Sequence, residues 1–307
     1  MQTILGAGGS IGTELAKELV KYTDKIRLVS RNPKKVNETD ELFPADLTAP
    51  LPIDRAIEGS DVVYVTIGFK YDSKVWQEKW PSFMKLVIAS CKRHQARLVF
   101  FDNVYMYDRD FLSPMTEETP IRPTSKKGEV RAQVADMLLS EIKRGQLKAV
   151  IARSADFIGS RNSFLTEMVY KNLAKRRSAY WLSHLDKVHN FTDTSDAARA
   201  TALLGNTPEA FGQVWHLPTS KTPITGRQWV DLVADKLGVP SKAKVFPNWQ
   251  LSLVGIFVPV LKEMKEMMYQ YDRDYLFDSS KFEKQFNYQP VTPEEAVDRL
   301  ISAFRKK

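Results

Sequence analysis

Three glycines spaced three residues apart stand near the start of the chain, at Gly6, Gly9 and Gly12. They follow a short apolar segment at 2–5 and precede a segment whose apolar residues recur with helical spacing. A glycine loop between a strand and a helix lets the backbone approach a pyrophosphate, while the helix N-terminus offers N–H groups to the phosphates. The alternative is a tight turn that binds nothing. The context predicts a dinucleotide-binding loop made of Gly6, Gly8, Gly9, Ser10, Ile11 and Gly12.

The residues after the second apolar segment, 26–30, indicate which dinucleotide is bound. A ribose 2′-hydroxyl is usually held here by Asp or Glu, whereas a 2′-phosphate calls for Arg. The chain has Arg31 at this point, with Lys34 and Lys35 just beyond it, and a guanidinium can bind a phosphate through two hydrogen bonds. We therefore predict a preference for NADP(H), with NAD(H) as the alternative cofactor and an ordinary surface role as the alternative for Arg31.

These candidate residues must be positioned by alternating strands and helices. Apolar segments predict strands at Gln2–Leu5, Ile26–Ser30, Val62–Ile67, Arg97–Phe101, Lys148–Arg153 and Val214–Leu217. Helical periodicity predicts helices at 11–20, Trp76–Arg93, Val130–Arg144, Ser195–Leu204, Gly226–Leu237 and Pro293–Arg305. Such alternation is typical of an α/β fold with a doubly wound parallel sheet. We assign 1–155 and 187–220 to an NAD(P)-binding domain, and 156–186 and 221–307 to a smaller, interleaved, mostly helical substrate domain.

Composition excludes several other classes. With 43% hydrophobic and 27% charged residues among 307, the chain is neither disordered nor fibrous. The net charge of +8 favours anionic partners, but the basic residues are dispersed and accompany no nucleic-acid-binding motif. The apolar run Leu251–Leu261 is too short to span a membrane, and the absence of a leader together with a single cysteine, Cys91, favours the reducing cytoplasm. We expect a cytoplasmic protein with a small-molecule substrate, no nucleic-acid or membrane partner and, because its four histidines are scattered, no metal site.

Several segments together resemble the extended or atypical branch of the short-chain dehydrogenase/reductase superfamily, which includes NAD-dependent epimerases and dehydratases of nucleotide sugars. The resemblance covers nearly the whole chain. It lies in the segments 6–12, 45–48, 57–63, 189–193, 195–199 and 215–218 and at Glu118, Pro120 and Pro123. It implies a Rossmann fold in which Asp46 and Leu47 belong to the adenine-contacting segment. It also makes a homodimer formed through two helices one expected arrangement.

The resemblance also identifies the positions of the chemical residues, and all three differ from the family pattern. In the family, a Ser or Thr after the fifth strand holds the substrate carbonyl, and a Tyr-x-x-x-Lys motif supplies a proton and holds the nicotinamide ribose. These places fall on Asn103, Lys127 and Arg131. The amide of Asn103 can still donate to a carbonyl, and Arg131 can still hold ribose hydroxyls.

A proton-donating role for Lys127 has a further requirement, because an ammonium donates a proton near neutrality only when its pKa is lowered. The like-charged Arg131 four residues on, the helix N-terminus and burial would each act in that direction. Two alternatives stay open: the pair grips an anion, or it is a solvated helix start. Tyr105 and Tyr107 are other candidate proton donors, although such tyrosines are often packed aromatics.

Further cofactor contacts are expected where other strands end. They are Thr66, Ile67, Gly68, Asp102, Asp156 and Phe157. Asp102 can instead cap a neighbouring turn. Three arginines can bind a diphosphate or remain solvated, namely Arg161, Arg176 and Arg177. The stretch Trp249–Tyr271, rich in methionine and aromatic residues, can line a pocket or belong to the hydrophobic core.

Two functions remain open on the sequence alone. The first is an NAD(P)-dependent oxidoreductase or epimerase with a substituted active site, which reduces a carbonyl held near Asn103 with a proton from Lys127 or Tyr105. The second is a dinucleotide-binding protein without catalysis, whose conformation reports the NADP(H) state.

Overall fold

A computed structural model describes residues 1–246, 263 and 265–305. Contacts divide the chain into two compact units, each built from three stretches of sequence. The first unit comprises Met1–Asn103, Lys127–Ser154 and Ala197–Leu217, and the second comprises Val104–Lys126, Ala155–Asp196 and Pro218–Lys307. Most of the predicted pocket-lining stretch Trp249–Tyr271, including the apolar run Leu251–Leu261, lies outside the described residues.

The first unit contains a seven-stranded, wholly parallel sheet. Its strands are β1 (Gln2–Leu5), β2 (Ile26–Ser30), β3 (Glu41–Pro44), β4 (Val62–Val65), β5 (Arg97–Asp102), β6 (Ala149–Arg153) and β10 (Val214–His216), and their order is β10-β6-β5-β4-β1-β2-β3. All four residues of β1 and of β4 are buried, as expected for strands covered on both faces. The doubly wound fold predicted from the sequence is confirmed.

The strands of this sheet are connected mainly by helices. These are α1 (Ser10–Leu19), α2 (Pro50–Ile57), α3 (Ser73–Arg93), α4 (Lys126–Lys143) and α6 (Thr194–Gly205). α3 begins earlier than predicted, because the carboxylate of Asp72 caps it by accepting from the N–H groups of Lys74 and Val75. The helix predicted at 11–20 included Val20, but α1 ends at Leu19 and the side chain of Val20 is exposed.

The second unit contains two short parallel strand pairs as well as helices. β7 (Asp156–Ile158) pairs with β9 (Phe191–Asp193), and β8 (Ala179–Leu182) pairs with β11 (Ala243–Phe246). Its helical segments include a π-helical turn at Leu165–Tyr170, α5 (Lys171–Leu173), α7 (Gly226–Leu237), α8 (Ser280–Phe286) and α9 (Pro293–Arg305). The chain therefore continues after β6 with a short strand, which the sequence did not predict.

Two segments pack with the second unit although the sequence assigned them to the first domain, 104–126 and 187–196. Backbone pairing explains their position. Met115 forms a parallel bridge with Phe277, His189 forms one with Tyr275, and β9 pairs with β7. In the ranges that the structure describes, no helix combines the length and the hydrophobicity needed to cross a membrane.

Candidate dinucleotide site and active site

The glycine loop joins β1 to α1, and two of its glycines are required by their surroundings. Gly6 has φ +101°, and a Cβ there would lie 2.5 Å from the Cα of Ile67. A Cβ on Gly12 would lie 2.6 Å from the carbonyl oxygen of Gly6. These glycines therefore serve the turn and the close packing of helix on strand.

Gly8 and Gly9 have no such steric requirement. A Cβ on Gly8 would meet nothing within 4 Å, and one on Gly9 would only make an ordinary contact of 3.5 Å. Gly9 is the N-cap of α1, where no side chain caps the helix and no acidic residue stands in the first turn. No side chain therefore occupies this helix end, and the absence of side chains at positions 8 and 9 leaves room for an anion there.

The ends of β1, β2 and β4 lie beside this loop because these strands are neighbours in register. Thr66 donates its N–H to the carbonyl oxygen of Leu5 at 2.9 Å, and Gly6 donates to Val29 at 2.9 Å. A Cβ on Gly12 would also lie 3.0 Å from the hydroxyl of Thr66. The structure thus brings Thr66 and Ile67 next to the glycine loop, and Gly68 follows them directly.

The adenine was expected near the residues that follow β2 and β3, which form one edge of the sheet. Arg31, Lys34 and Lys35 are exposed there. Asp46 is exposed as well, and its carboxylate accepts hydrogen bonds from the N–H (3.0 Å) and hydroxyl (2.8 Å) of Thr48. These two bonds, the backbone one first, lower the pKa of Asp46. The neighbouring Leu47 is buried.

Lys127 is completely buried at the start of α4. Its ammonium donates to the hydroxyl of Ser73 at 3.1 Å and lies 4.5 Å from the ring centroid of Tyr71. Ser73 and Tyr71 lie after β4, 54 and 56 residues before Lys127, and no local pattern in the sequence predicts either contact. Of the three alternatives for Lys127, the solvated helix start is wrong, because this part of α4 packs inside the fold.

Arg131 is also buried and forms an ion pair with Asp102 at the end of β5. Its Nε donates to Oδ1 of Asp102 at 2.7 Å, and its Nη2 donates to the same oxygen. The guanidinium lies 4.4 Å from the ring centroid of Trp80 and 4.7 Å from that of Phe100. Arg131 is therefore held by charge, hydrogen bonds and aromatic faces of its own unit.

A second buried guanidinium, that of Arg153, shares the carboxylate of Asp102. Its Nε lies 3.2 Å from Oδ2, because Asp102 and Arg153 are directly paired in the β5–β6 register. Asp102 also accepts the N–H of Asn103 at 2.9 Å, which is the local capping role allowed from the sequence. Arg153 was not predicted as a site residue. A signal was present in the sequence, because a charged residue at the end of a buried strand requires a partner, and Asp102 ends the preceding strand of the chain.

Asn103 follows Asp102 in the first unit and is half-buried. In the second unit, Tyr105 is half-buried and its carbonyl oxygen accepts from the hydroxyl of Tyr269 at 3.4 Å, while Tyr107 is 1% exposed. Tyr107 is therefore a packed aromatic, and Tyr105 is the more exposed of the two candidate phenols.

Asp156 and Phe157 open β7 in the second unit. Oδ2 of Asp156 lies 3.0 Å from Nε2 of His189 and accepts from the hydroxyl of Tyr271 at 2.9 Å. Phe157 is half-buried, and its carbonyl oxygen accepts from the hydroxyl of Ser163 at 2.7 Å. The pairing of Asp156 with His189 and Tyr271 was not anticipated from the sequence.

The second unit also contains an open cavity of about 360 Å³. Its charged lining consists of Arg109, Lys187, Arg273, Asp110, Asp272 and Asp274. Arg273 bonds to Asp272 and Asp110. The three arginines proposed from the sequence for a diphosphate, Arg161, Arg176 and Arg177, are exposed and do not line this cavity. Within the described ranges, no three His, Cys, Asp or Glu side chains gather as metal ligands.

Comparison with known proteins agrees with this architecture. The family model "NAD dependent epimerase/dehydratase family" matches residues 3–217, and the chain belongs to that family. Among curated proteins, it is 24% identical over 179 residues to the putative UDP-arabinose 4-epimerase 4 of Arabidopsis thaliana. That match covers 51% of this chain and 41% of the plant protein.

Solved structures share the fold over the full length of the chain. The dTDP-glucose 4,6-dehydratase DesIV from Streptomyces venezuelae, solved with NAD bound, is 16% identical with a TM-score of 0.81, covering 100% of this chain and 98% of that one. WbmH from Bordetella bronchiseptica, in complex with NAD⁺, is 18% identical with a TM-score of 0.73, covering 99% and 98%. MoeE5, in complex with UDP-glucose and NAD, is 16% identical with a TM-score of 0.77, covering 99% and 98%.

Proposed function

We propose that this chain is an NADP(H)-preferring oxidoreductase of the epimerase/dehydratase type that acts on a carbonyl or sugar-like small molecule. The observation that carries the proposal is the uncapped N-terminus of α1 behind Gly8 and Gly9, where side chains are absent although sterics would allow them. Family membership supports a nicotinamide cofactor. Relatives named for UDP-arabinose and dTDP-glucose support a nucleotide sugar as the substrate class.

The residues of the first unit would bind the cofactor as follows. The loop 6–12 would hold the pyrophosphate, and Arg31 would bind the 2′-phosphate, since no carboxylate directly follows β2. Asp46 and Leu47 would border the adenine. Thr66, Ile67 and Gly68 would border the rest of the dinucleotide. The cofactor contacts expected of Asp156 and Phe157 stay a prediction, because both residues belong to the second unit. When bound, the dinucleotide supplies or accepts a hydride.

The chemistry would be carried by residues after β5. The amide of Asn103 would donate a hydrogen bond to the substrate carbonyl. Tyr105 and Lys127 are the two candidate proton donors, and partial exposure supports Tyr105, whereas Lys127 is completely buried. Arg131 and Asp102 were proposed as ribose contacts, but their observed contacts to each other favour a role in supporting the loop that carries Asn103.

A second candidate function is a dinucleotide sensor without catalysis. The specific observation that favours it is that Lys127 and Arg131, at the family's proton-donor and ribose positions, are 0% and 3% exposed. Both are bound to residues of their own unit. A sensor would keep cofactor affinity and would have no turnover to lose.

The test is calorimetric titration of the purified protein with NADPH, NADP⁺, NADH and NAD⁺, followed by a screen of nucleotide sugars for turnover. Arg31→Ala should weaken NADPH binding by about tenfold or more while changing NADH binding little. Arg55→Ala, an exposed arginine on α2, is the matched control and should change neither. Equal losses for both cofactors would refute the NADP(H) assignment, and no binding of any dinucleotide would refute the proposal.

Variants of the candidate proton donors distinguish the enzyme from the sensor, because only the enzyme has turnover to lose. If Tyr105 donates the proton, Tyr105→Phe should abolish turnover and leave NADPH affinity intact, whereas Lys127→Ala tests the other donor. Binding without turnover on any substrate in the screen favours the sensor. A cytoplasmic location and a homodimer are further parts of this proposal, and light scattering of the purified protein tests the dimer.

A further inference from the structure

The open cavity of about 360 Å³ in the second unit is built from stretches of chain that are distant in sequence. Hydrogen bonds between backbones hold these stretches together. The N–H of Tyr275 donates to the carbonyl oxygen of Val188 at 2.9 Å, and that of Leu276 donates to the carbonyl oxygen of Leu112 at 2.8 Å. The volume of the cavity lies within the range of about 300–1,000 Å³ that is usual for small-molecule sites. The lining residues are 109–110, 112–113, 187 and 272–274.

Four of the six charged side chains in the cavity neutralise one another. Nε of Arg273 donates to Oδ1 of Asp272 at 2.7 Å, and Nη1 of Arg273 donates to Oδ1 of Asp110 at 3.2 Å. Nε of Arg109 lies 3.7 Å from the same oxygen of Asp110. Two guanidinium groups and two carboxylates therefore form one network without net charge.

The two other charged side chains, Lys187 and Asp274, have no ionic partner. The ammonium of Lys187 forms neither a hydrogen bond nor an ion pair with the part of the chain that the structure describes. Oδ1 of Asp274 accepts the N–H of Val188 at 3.0 Å, but no described cation pairs with this carboxylate. Because Val188 directly follows Lys187, this bond holds the carboxylate beside the backbone of Lys187. The cavity therefore presents one positive and one negative charge that do not pair with each other.

These two charges restrict the class of ligand. A cation would be attracted by Asp274 and repelled by Lys187, and an anion would experience the reverse, so a simple ion gains little here. A neutral ligand would leave both charges without a counter-ion, whereas a zwitterion supplies one for each. An α-amino acid has its carboxylate and its ammonium on one carbon, which suits charges that stand on neighbouring backbones. Its side chain can contact Leu112 in the lining.

We propose that this cavity binds a free α-amino acid with an apolar side chain, with its carboxylate on Lys187 and its ammonium on Asp274. None of the lining residues belongs to the groups proposed to hold the cofactor or the carbonyl, so the inference does not depend on the proposed function. Ion pairs at accessible positions contribute modestly to affinity, and we therefore expect binding in the millimolar range.

Calorimetric titration of the full chain tests the ligand class. The probes are L-leucine, L-valine and L-phenylalanine, each compared with three derivatives. The N-acetyl derivative has only the negative charge, the amide has only the positive charge at about pH 6, and the N-acetyl amide has neither. Wild type should bind at least one of the amino acids about fivefold or more tightly than any of its derivatives.

Two substitutions identify the residue behind each charge. Lys187→Met removes the ammonium and keeps an alkyl chain, so this variant should bind the amino acid no more tightly than its amide. Asp274→Asn keeps an oxygen for the N–H of Val188, and it should bind the amino acid no more tightly than its N-acetyl derivative. These changes of selectivity require each residue to contact its own end of the ligand, because a purely structural change would weaken all probes alike.

Lys242→Met is the matched control, because Lys242 is an exposed lysine of the same unit that does not line the cavity. It should bind every probe as wild type does. Lys187 has no hydrogen-bond partner to lose, so Lys187→Met should have the same midpoint of urea unfolding as wild type. This variant keeps the test valid if Asp274→Asn does not fold.

The proposal is overturned if wild type binds no amino acid of the panel up to about 10 mM, which is the result expected of two solvated surface charges. It is also overturned if wild type binds the derivatives as tightly as the amino acids. Full retention by Lys187→Met of the preference for an amino acid over its amide would overturn it as well. NADPH titration of the same samples reports separately on the proposed function.

Discussion

Alanine at Gly12 and at Gly9 should separate the two tasks of the glycine loop. At Gly12 the new methyl would lie 2.6 Å from the carbonyl oxygen of Gly6 and 2.9 Å from the Cα of Ala7. Both obstacles are backbone atoms, which cannot rotate away as a flexible side chain can. Overpacking of this kind costs about 1–3 kcal/mol, and the gain from replacing a helical glycine offsets up to about 1 kcal/mol of it. We therefore expect Gly12→Ala to lower the free energy of unfolding by about 1–2 kcal/mol.

Gly9→Ala should act on binding instead. Its methyl would make only an ordinary contact of 3.5 Å, and the backbone at φ −77° and ψ 172° is open to alanine. Loss of glycine at the N-cap costs at most about 1 kcal/mol, whereas a methyl facing the pyrophosphate should reduce NADPH affinity by about tenfold or more. Urea unfolding and calorimetry measure the two effects. A Gly12→Ala protein as stable as wild type, or a Gly9→Ala protein with wild-type NADPH affinity, would refute the reasoning.

Three other predictions concern the buried groups of the first unit. Asp102→Asn should lower the free energy of unfolding in urea by about 3–5 kcal/mol, because it removes the charge that two buried guanidinium groups share. Glu14→Gln, which breaks an exposed ion pair on α1, should lower it by less than about 0.5 kcal/mol. Similar losses in the two variants would contradict the argument. Tyr71→Leu should lower the free energy of unfolding by about 1–2 kcal/mol more than Tyr71→Phe does, because only the leucine variant lacks the ring that faces the ammonium of Lys127. Equal stability of the two variants would show that the ring contributes nothing. Cys91 should react with a thiol reagent only on unfolding, since burial raises the pKa of its thiol and thereby lowers the thiolate fraction, and rapid labelling of the native protein would exclude this burial.

The sequence was informative about the sheet wherever a strand is buried on both faces. β1 and β4 are uninterrupted buried segments, so their hydrophobicity alone located them. β3 was missed because it is short, ends in Pro44 and has exposed or half-buried residues at every position. The three-residue strands β7 and β9 were missed for a related reason: they are held by pairing with each other, over 30 residues apart, and not by a local pattern.

The same distinction between local pattern and distant contact applies to the candidate site. The glycine loop and the residues at the strand ends were located from the sequence, because local spacing and strand order determine where they lie. The surroundings of Lys127 were not, because Ser73 and Tyr71 are distant in sequence and no local pattern links them to α4. The contact between Asp156 and His189 was not predicted for the same reason, because the two residues are distant in sequence.

Asn103 and Arg131, two of the residues expected from the sequence at the active site, are linked through Asp102. Arg131 donates twice to Asp102 and stacks on Trp80, which a lysine ammonium cannot reproduce, since it is a compact charge without a planar fork. Asp102 is in turn paired with Arg153 and caps Asn103, the residue expected to hold the carbonyl. Lysine at position 131 alone would therefore weaken the support of Asn103 while leaving Lys127 in place. Arg131 thus supports the segment that carries Asn103, so Arg131→Lys tests that support before it tests any chemistry.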